Sequence, residues 1–298
     1  MKVLIVGGTG LIGRRLARTL AQTGDEVVAV SRAIDARVDG ATYRRWDPIE
    51  GPLVPEALDG VDAVVNLAGA PLQSGRWSQS RKRELWDSRV GTTQRIVESL
   101  EGSGVQTFVS GSAVGYYGPG DDEEMTEDSP AGDDFLADLA SAWEAVALEA
   151  SARAGVRVVL LRTGVVLARE GGALPVVARP VKLGAGGPIG GGRQWVPWIH
   201  IDVVVGIVRL ALTDQANSGP INAVSREPVR QKDFVKTMGS VLGRPAAVPT
   251  PAFVLRAAMG EMATLALDGQ RVVPAKAEAA GYEFAYPSLE GALQAELG

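Results

Sequence analysis

Apolar runs punctuate the first 164 residues: KVLIV (2–6), EVVAV (26–30), DAVVNLA (62–68), QTFVSG (106–111) and VRVVLLRTG (156–164). Each is continuous rather than alternating, which predicts strands buried on both faces. Between them lie segments with a 3.6-residue period. In LIGRRLARTLAQTG, Leu11, Leu16 and Leu20 share a face and Gly24 supplies the stop. Alternation of this kind predicts an α/β fold, a parallel doubly wound sheet with right-handed crossovers. TYRRW (42–46) adds a short third strand.

Regularity lapses after Gly164. The run REGGALPVVARPVKLGAGGPIGGGRQWVPW is rich in Gly and Pro and predicts loops and short pieces over a cleft. Helix returns at HIDVVVGIVRLALTD, followed by a strand (GPINAV), a helix (QKDFVKTMGSVLG) and a closing helix (SLEGALQAEL).

Composition narrows the chemistry. There is no cysteine, which excludes disulfides, thiolate catalysis and Cys-bound metal, and with a single histidine a metal site has almost no ligands to draw on. MKVLIVGG enters a strand directly instead of a signal sequence, and VVVGIVRLAL is interrupted by Arg209, so a soluble cytoplasmic protein is expected. The net charge of −5 disfavours nucleic acid as a partner. Charge is nonetheless uneven. Up to Arg45 there are 8 basic residues against 4 acidic ones, and between Arg95 and Arg153 there is no Lys or Arg. A small anion suits the amino end and not the middle.

VGGTGLIGRR follows the first strand and opens the first helix, spacing Gly7, Gly10 and Gly13 as GxxGxxG. Gly7 permits a tight turn, Gly10 lets backbone approach a pyrophosphate, and Gly13 lets helix and strand pack closely. The backbone of Thr9, Leu11 and Ile12 completes an anion cradle at the helix N-terminus. This is the Rossmann-type arrangement for a dinucleotide; the plain alternative is a Gly-rich turn holding nothing. The second strand ends VAVSR, where an acidic residue would select NAD. Ser31 and Arg32 instead suit the 2′-phosphate of NADP, with Arg14 or Arg15 nearby. Asp47 is placed to receive the adenine amino group. NLAGAP (66–71) has the small residues needed for close passage beside a coenzyme, which makes Leu67, Ala68 and Gly69 candidate contacts, although both segments also fit ordinary turn chemistry. Residues 1–165 are thus expected as a dinucleotide-binding domain, with 200–228 returning to it. Residues 166–199 and 229–298 would form a smaller substrate-side lobe.

Taken together these motifs resemble the short-chain dehydrogenase/reductase superfamily, in its extended, epimerase/dehydratase-like branch. GGTGLIG is similar to that family's dinucleotide turn, NLAG to its fourth-strand motif, VSGSAVGYYG (109–118) to its fifth-strand Ser segment, and LRTGVVL and WIHID to later segments. GGRQWVPWIHID and the tail GEMATLALDGQRVVPAKAEAAGYEFAYPSLEGAL resemble a subgroup of NADP-binding "epimerase family" proteins of uncertain activity, some labelled cell-division-inhibitor-like. The resemblance implies a Tyr acting on the substrate oxygen and a Lys four residues on that lowers its pKa and holds the nicotinamide ribose. The segment DDFLADLASAWE supplies neither. With Glu144 as the reference, Leu136 and Ala140 fall at those positions; a shift by one gives Phe135 and Leu139. No Tyr of the chain has Lys four residues later. Arg89, in SRVGT, stands where many relatives place an Asn.

Several groups remain for chemistry. Ser112 matches the family's Ser, and either Tyr116 or Tyr117 would move into the gap as a proton donor; hydroxyl capping of a strand end and aromatic packing are the alternatives. Glu144 and Asp134 are candidate acids only if their helix turns them inward, and DDEEMTEDS reads as a solvated acidic loop. His200 is expected to be structural. Arg193, Trp195 and Trp198 are candidate substrate contacts for a sugar face or phosphate, with Lys182 and Arg179 weaker versions of the same idea. The segment 78–100 is a helix suited to a homodimer bundle. Two functions fit: an NADP-dependent oxidoreductase or epimerase-like enzyme with a non-standard donor, or an NADP-binding sensor or interaction protein.

Overall fold

The computed structural model describes residues 1–298. Seven parallel strands form the central sheet: β1 (Lys2–Val6), β2 (Glu26–Ser31), β3 (Thr42–Arg45), β4 (Ala63–Asn66), β5 (Thr107–Ala113), β6 (Arg157–Thr163) and β7 (Gly219–Ala223), in the order β7-β6-β5-β4-β1-β2-β3. The order reverses direction between β1 and β4, which places the cleft for a ligand at their carboxyl ends. Strand residues divide strictly by parity. Val3 and Ile5 join Leu16, Leu20, Val204 and Ile207 on one face, while Leu4 and Val6 join Ile96, Val97, Leu100 and Ala147 on the other. That two-sided burial is why the strands read as uninterrupted apolar runs.

The main helices are α1 (Leu11–Gln22), α2 (Gln79–Trp86), α3 (Thr92–Leu100), α4 (Phe135–Ala154), α5 (Leu174–Lys182), α6 (Ile201–Thr213) and α7 (Gln231–Leu242), of which α1 and α6 cover one face of the sheet and α3 and α4 the other. Between α2 and α3 the backbone widens into one π-helical turn, Asp87–Gly91. α4 starts where Asp134 accepts a hydrogen bond from the Ala137 amide at 2.8 Å and ends at Gly155, φ 64°. This is ordinary capping, so Asp134 is spent on its own helix.

α5 was not expected. Pro175 lies in its first turn, where no amide is needed, and Pro180 comes late enough to interrupt only the last turn. Short strands complete the smaller region: Trp198–His200 pairs with Val165–Ala168, Trp195–Val196 with Val229–Arg230, and Glu124–Met125 with Arg271–Val272. A satellite core of Leu167, Leu174, Trp198, Phe234, Met238 and Leu293 binds α5, α7 and the closing helix Leu289–Leu297 together. No helix is long and apolar enough to cross a membrane.

Candidate functional site: a glycine cradle and a buried polar network

The turn after β1 is built by glycine. A Cβ on Gly7, which has φ +78°, would lie 2.9 Å from the Ala68 amide nitrogen, and one on Gly13 would lie 2.4 Å from the Gly7 carbonyl oxygen. The turn therefore sits directly against Leu67 and Ala68 beyond β4. Gly10 caps α1 with no side chain, and the amides of Leu11, Ile12 and Gly13 donate to no protein acceptor. These outward donors at a helix N-terminus fit a pyrophosphate. The residues present therefore fit a dinucleotide.

At the end of β2, Ser31 Oγ is 3.0 Å from Tyr43 Oη, and that phenol also donates to the backbone of residues 31 and 33. Tyr43 thereby fixes the turn that carries Arg32, an exposed side chain with no ion-pair partner. Arg14 leans toward the same edge, donating to the Thr9 carbonyl at 2.8 Å and the Arg37 carbonyl at 3.1 Å. Arg15 does not join them. Its Nε is 2.6 Å from Asp202 Oδ1 on α6, and that bond, against a smaller burial effect, raises the guanidinium above its usual range. Asp47 accepts from the Ile49 amide at 3.1 Å, so its carboxylate closes its own turn. After β4, Asn66 shapes the loop: its Oδ1 accepts from the Ala68 amide at 3.1 Å, and its Nδ2 donates to Thr93 at 2.9 Å.

The candidate hydroxyls beyond β5 meet a different environment. Arg162 of β6 and Glu144 of α4, 3% and 5% exposed, form a two-pronged ion pair with both N···O distances 2.8 Å. Burial opposes the Arg162 charge, but the hydrogen bonds and field of Glu144, aided by Tyr117, outweigh it and raise the guanidinium above its usual range. Ser112 donates to Glu144 Oε1 at 2.6 Å. Tyr117 accepts from Arg162 Nη1 at 3.0 Å and donates to Asn222 Oδ1 at 2.7 Å. Burial pushes its phenol up to about 12, although Arg162 and the hydrogen bonds pull the other way. Both hydroxyls are thus committed inside a desolvated network. Tyr116 differs: it is half-buried, its ring lies under the Arg162 guanidinium at 3.5 Å, and its hydroxyl has no protein partner. Of the three candidates, only Tyr116 has a hydroxyl free for a substrate.

Three expectations are corrected here. Trp198 is 1% exposed and donates to the Glu227 carbonyl from inside the satellite core, so it faces no substrate. Glu127, in the acidic run expected to be solvated, is 4% exposed; its Oε1 accepts from the Asn222 and Lys276 amides at 2.9 and 3.2 Å. Glu144 does turn inward, but it is bound to Arg162 rather than free as an acid. Trp195 remains half-exposed between Arg230 and Arg271, at 3.8 and 5.5 Å from its ring centroid. Arg193 is exposed beside it, and its carbonyl accepts from Arg230. Arg179 and Lys182 lie on the outer surface of α5, away from this cluster. His200 is 1% exposed and stacked on Tyr286 at 3.7 Å. Its Nδ1 accepts from the Asp202 amide at 3.1 Å, while Nε2 stands 2.9 Å from Glu296 Oε1 but off the hydrogen-bonding axis. Burial lowers its pKa against the pull of both carboxylates, which suits a structural cap.

The position of the missing dyad is apolar. Leu136 and Leu139 pack with Ala70, Leu72, Met259 and Met262, and Ala140 is buried. No Arg or Lys of α4 approaches. Sequence reasoning did not anticipate Arg162, although a charged residue after four apolar ones in the strand VRVVLLRTG signals that a buried partner must exist.

Comparisons with known proteins agree with this geometry. The model of the "NAD dependent epimerase/dehydratase family" matches residues 3–224, and a domain of unknown function, DUF1731, matches residues 250–296. The chain is 39% identical over 302 residues to the "Epimerase family protein SDR39U1 homolog, chloroplastic" of Arabidopsis thaliana, covering 99% of this chain and 86% of that one. It is also 39% identical to "Epimerase family protein YfhF" of Bacillus subtilis, covering 98% and 97%. Among solved structures, the human epimerase family protein SDR39U1 with NADPH superposes with a TM-score of 0.88 at 37% identity, covering 99% of this chain and 98% of that one.

Proposed function

The chain belongs to the NAD dependent epimerase/dehydratase family, and from that premise we propose that it binds NADP(H) and transfers hydride to or from a small carbonyl or sugar substrate without the Tyr–Lys dyad. One observation carries the coenzyme half: the outward amides of Leu11, Ile12 and Gly13 share an edge with the unpaired Arg32 and with Arg14. The human relative solved with NADPH supports the same choice. Thr9, Gly10 and Asp47 flank this path, and Leu67, Ala68 and Gly69 form its far wall.

When bound, the coenzyme supplies the electron pair. The chain supplies position, exclusion of water and a proton donor. Tyr116 is that donor. Its free hydroxyl lies just beyond β5, and the Arg162 guanidinium stacked on its ring at 3.5 Å holds the ring in place. Tyr117 directly, and Ser112 through Glu144, hold the Arg162 cation in place rather than touch substrate. Arg193 and Trp195 flank the outer part of the cleft, where a flat ring and a guanidinium suit a sugar or phosphate.

The second reading, an NADP-binding sensor, is favoured by the apolar cluster of Leu136, Leu139, Met259 and Met262 that replaces the dyad. Stopped-flow mixing of the protein with NADPH and a panel of aldehydes, quinones and keto-sugars separates the two. Turnover that Tyr116→Phe abolishes supports the enzyme; coenzyme binding without oxidation by any panel member supports the sensor.

A further inference from the structure

Arg89 is a cation largely withdrawn from solvent that no ion pair neutralises. It sits in the π-helical turn Asp87–Gly91, a widened backbone that rotates a side chain out of the α-helical register. Its guanidinium is half-buried and meets no carboxylate. Nη2 donates to the Ala70 carbonyl at 3.0 Å, while Nη1 makes only long contacts, 3.3 Å to the Leu85 carbonyl and 3.5 Å to Ser88 Oγ. Nε has no protein acceptor. Glu84, the nearby acid, is taken by Arg81. Burial, with repulsion from Arg81, pulls Arg89 down to about 10. A cation desolvated without a counter-charge is costly, and such sites occur where a ligand supplies the missing acceptors.

Placement says which ligand. The Arg89 guanidinium lies flat on Gly69, whose added Cβ would meet Cζ at 3.1 Å. Gly69 follows directly on Leu67 and Ala68, the residues in contact with the Gly7 turn. The β2 edge, with Arg32, lies on the opposite side of β1 from β4. A dinucleotide with its phosphates at the Gly7 turn and its adenosine toward Arg32 must therefore run its other half past Gly69. On α4, Trp143 stands one turn beyond Ala140, the position to which the resemblance assigned the absent Lys. Arg89 Cζ is 5.6 Å from the Trp143 ring centroid.

We propose that Arg89 replaces the absent lysine in trans-helical fashion, donating its free N–H groups to the riboside and phosphate oxygens of the nicotinamide-side half of the coenzyme. This rests on the coenzyme assignment above and deepens it. Arg89 stays a cation at neutral pH, so it binds and orients rather than exchanging protons. Gly69 is required because any side chain there would occupy the space of the guanidinium plane.

Calorimetric titration of the full chain with two probes tests it. NADPH carries both halves, whereas 2′,5′-ADP carries only the adenosine side. Arg89→Gln is expected to weaken NADPH by about 10-fold or more while leaving 2′,5′-ADP within about twofold, and Arg89→Lys to recover part of the loss. Parallel weakening of both probes, or no weakening of NADPH, overturns the proposal. If Arg89→Gln does not fold, Arg89→Lys and Gly69→Ala carry the same comparison, and equal effects on both probes again overturn it. A wild-type chain that binds neither probe refutes the coenzyme reading itself, and this inference falls with it. Wild-type binding with an indifferent Arg89→Gln refutes the inference alone.

Discussion

Replacing Glu144 by Gln isolates the cost of the buried network. The substitution keeps the side-chain shape and removes the charge. Wild-type Glu144 accepts three bonds at 2.6–2.8 Å, from Ser112 and from both prongs of Arg162. With its oxygen at the Oε1 position the amide still accepts from Ser112 and Arg162 Nε, but its NH2 then faces the Arg162 Nη2 donor. Arg162, 3% exposed, is left as an unpaired cation. Removing one partner of a buried pair typically costs about 3–5 kcal/mol, against a total stability of roughly 5–15 kcal/mol for a folded domain. Urea unfolding followed by tryptophan fluorescence should show a midpoint far below that of the wild type. The double variant Glu144→Gln, Arg162→Met should recover much of the loss, because no unpaired charge remains. A loss under about 1 kcal/mol in the single variant would place the pair in the solvent-screened class and refute the reasoning.

Tyr117 should resist ionisation. Its folded pKa, about 12, lies above the ordinary value of 10, so its stabilising effect is present below pH 10 and is lost as pH rises toward 12. The stability difference between wild type and Tyr117→Phe should shrink across that window, as read by unfolding at stepped pH; a constant difference would contradict the assignment. For His200 the sign reverses. Its folded pKa is depressed below 6.5, so stability is present above that value and is lost as pH falls below it, toward the lowered folded pKa. His200→Gln should flatten the acid limb of a melting-temperature profile, and an unchanged limb would show that other groups govern it. Gly13→Ala places a carbon 2.4 Å from the Gly7 carbonyl oxygen. NADPH affinity should fall by at least about 10-fold in calorimetry, whereas affinity equal to wild type would show that the turn does not cradle phosphate.

The sheet was legible because burial on both faces makes each strand an unbroken apolar word. Every strand from β1 to β7 falls within a residue or two of its expected span. The glycine turn was legible for a related reason: Gly7 and Gly13 answer to local backbone geometry. Less local features were hidden. α5 was masked by its prolines, which usually mark loops, and the π-turn at Asp87–Gly91 leaves no propensity signal. Glu127 was misread from its acidic neighbours because its amide partners, Asn222 and Lys276, lie about a hundred residues or more along the chain. The Arg162–Glu144 pair is only 18 residues apart, but it joins a helix to the next strand, a packing that neither local pattern shows. The stretch from 96 to 152 does lack cations, but parallel pairing of β5 and β6 places Arg162 opposite Ser112. The absent dyad was readable, since a missing residue needs no fold to be counted; Arg89 stood out as a departure, but its place against Gly69 was not readable.

The central claim is that this chain grips the 2′-phosphate of NADP with Arg32. Calorimetric titration of the wild type and Arg32→Asp with NADPH and with NADH tests it most directly. A charge-assisted contact of roughly 1.5–3 kcal/mol predicts that the variant loses about 10- to 100-fold in NADPH affinity and little in NADH affinity. Equal losses for the two coenzymes, or a wild type that prefers NADH, would contradict the account.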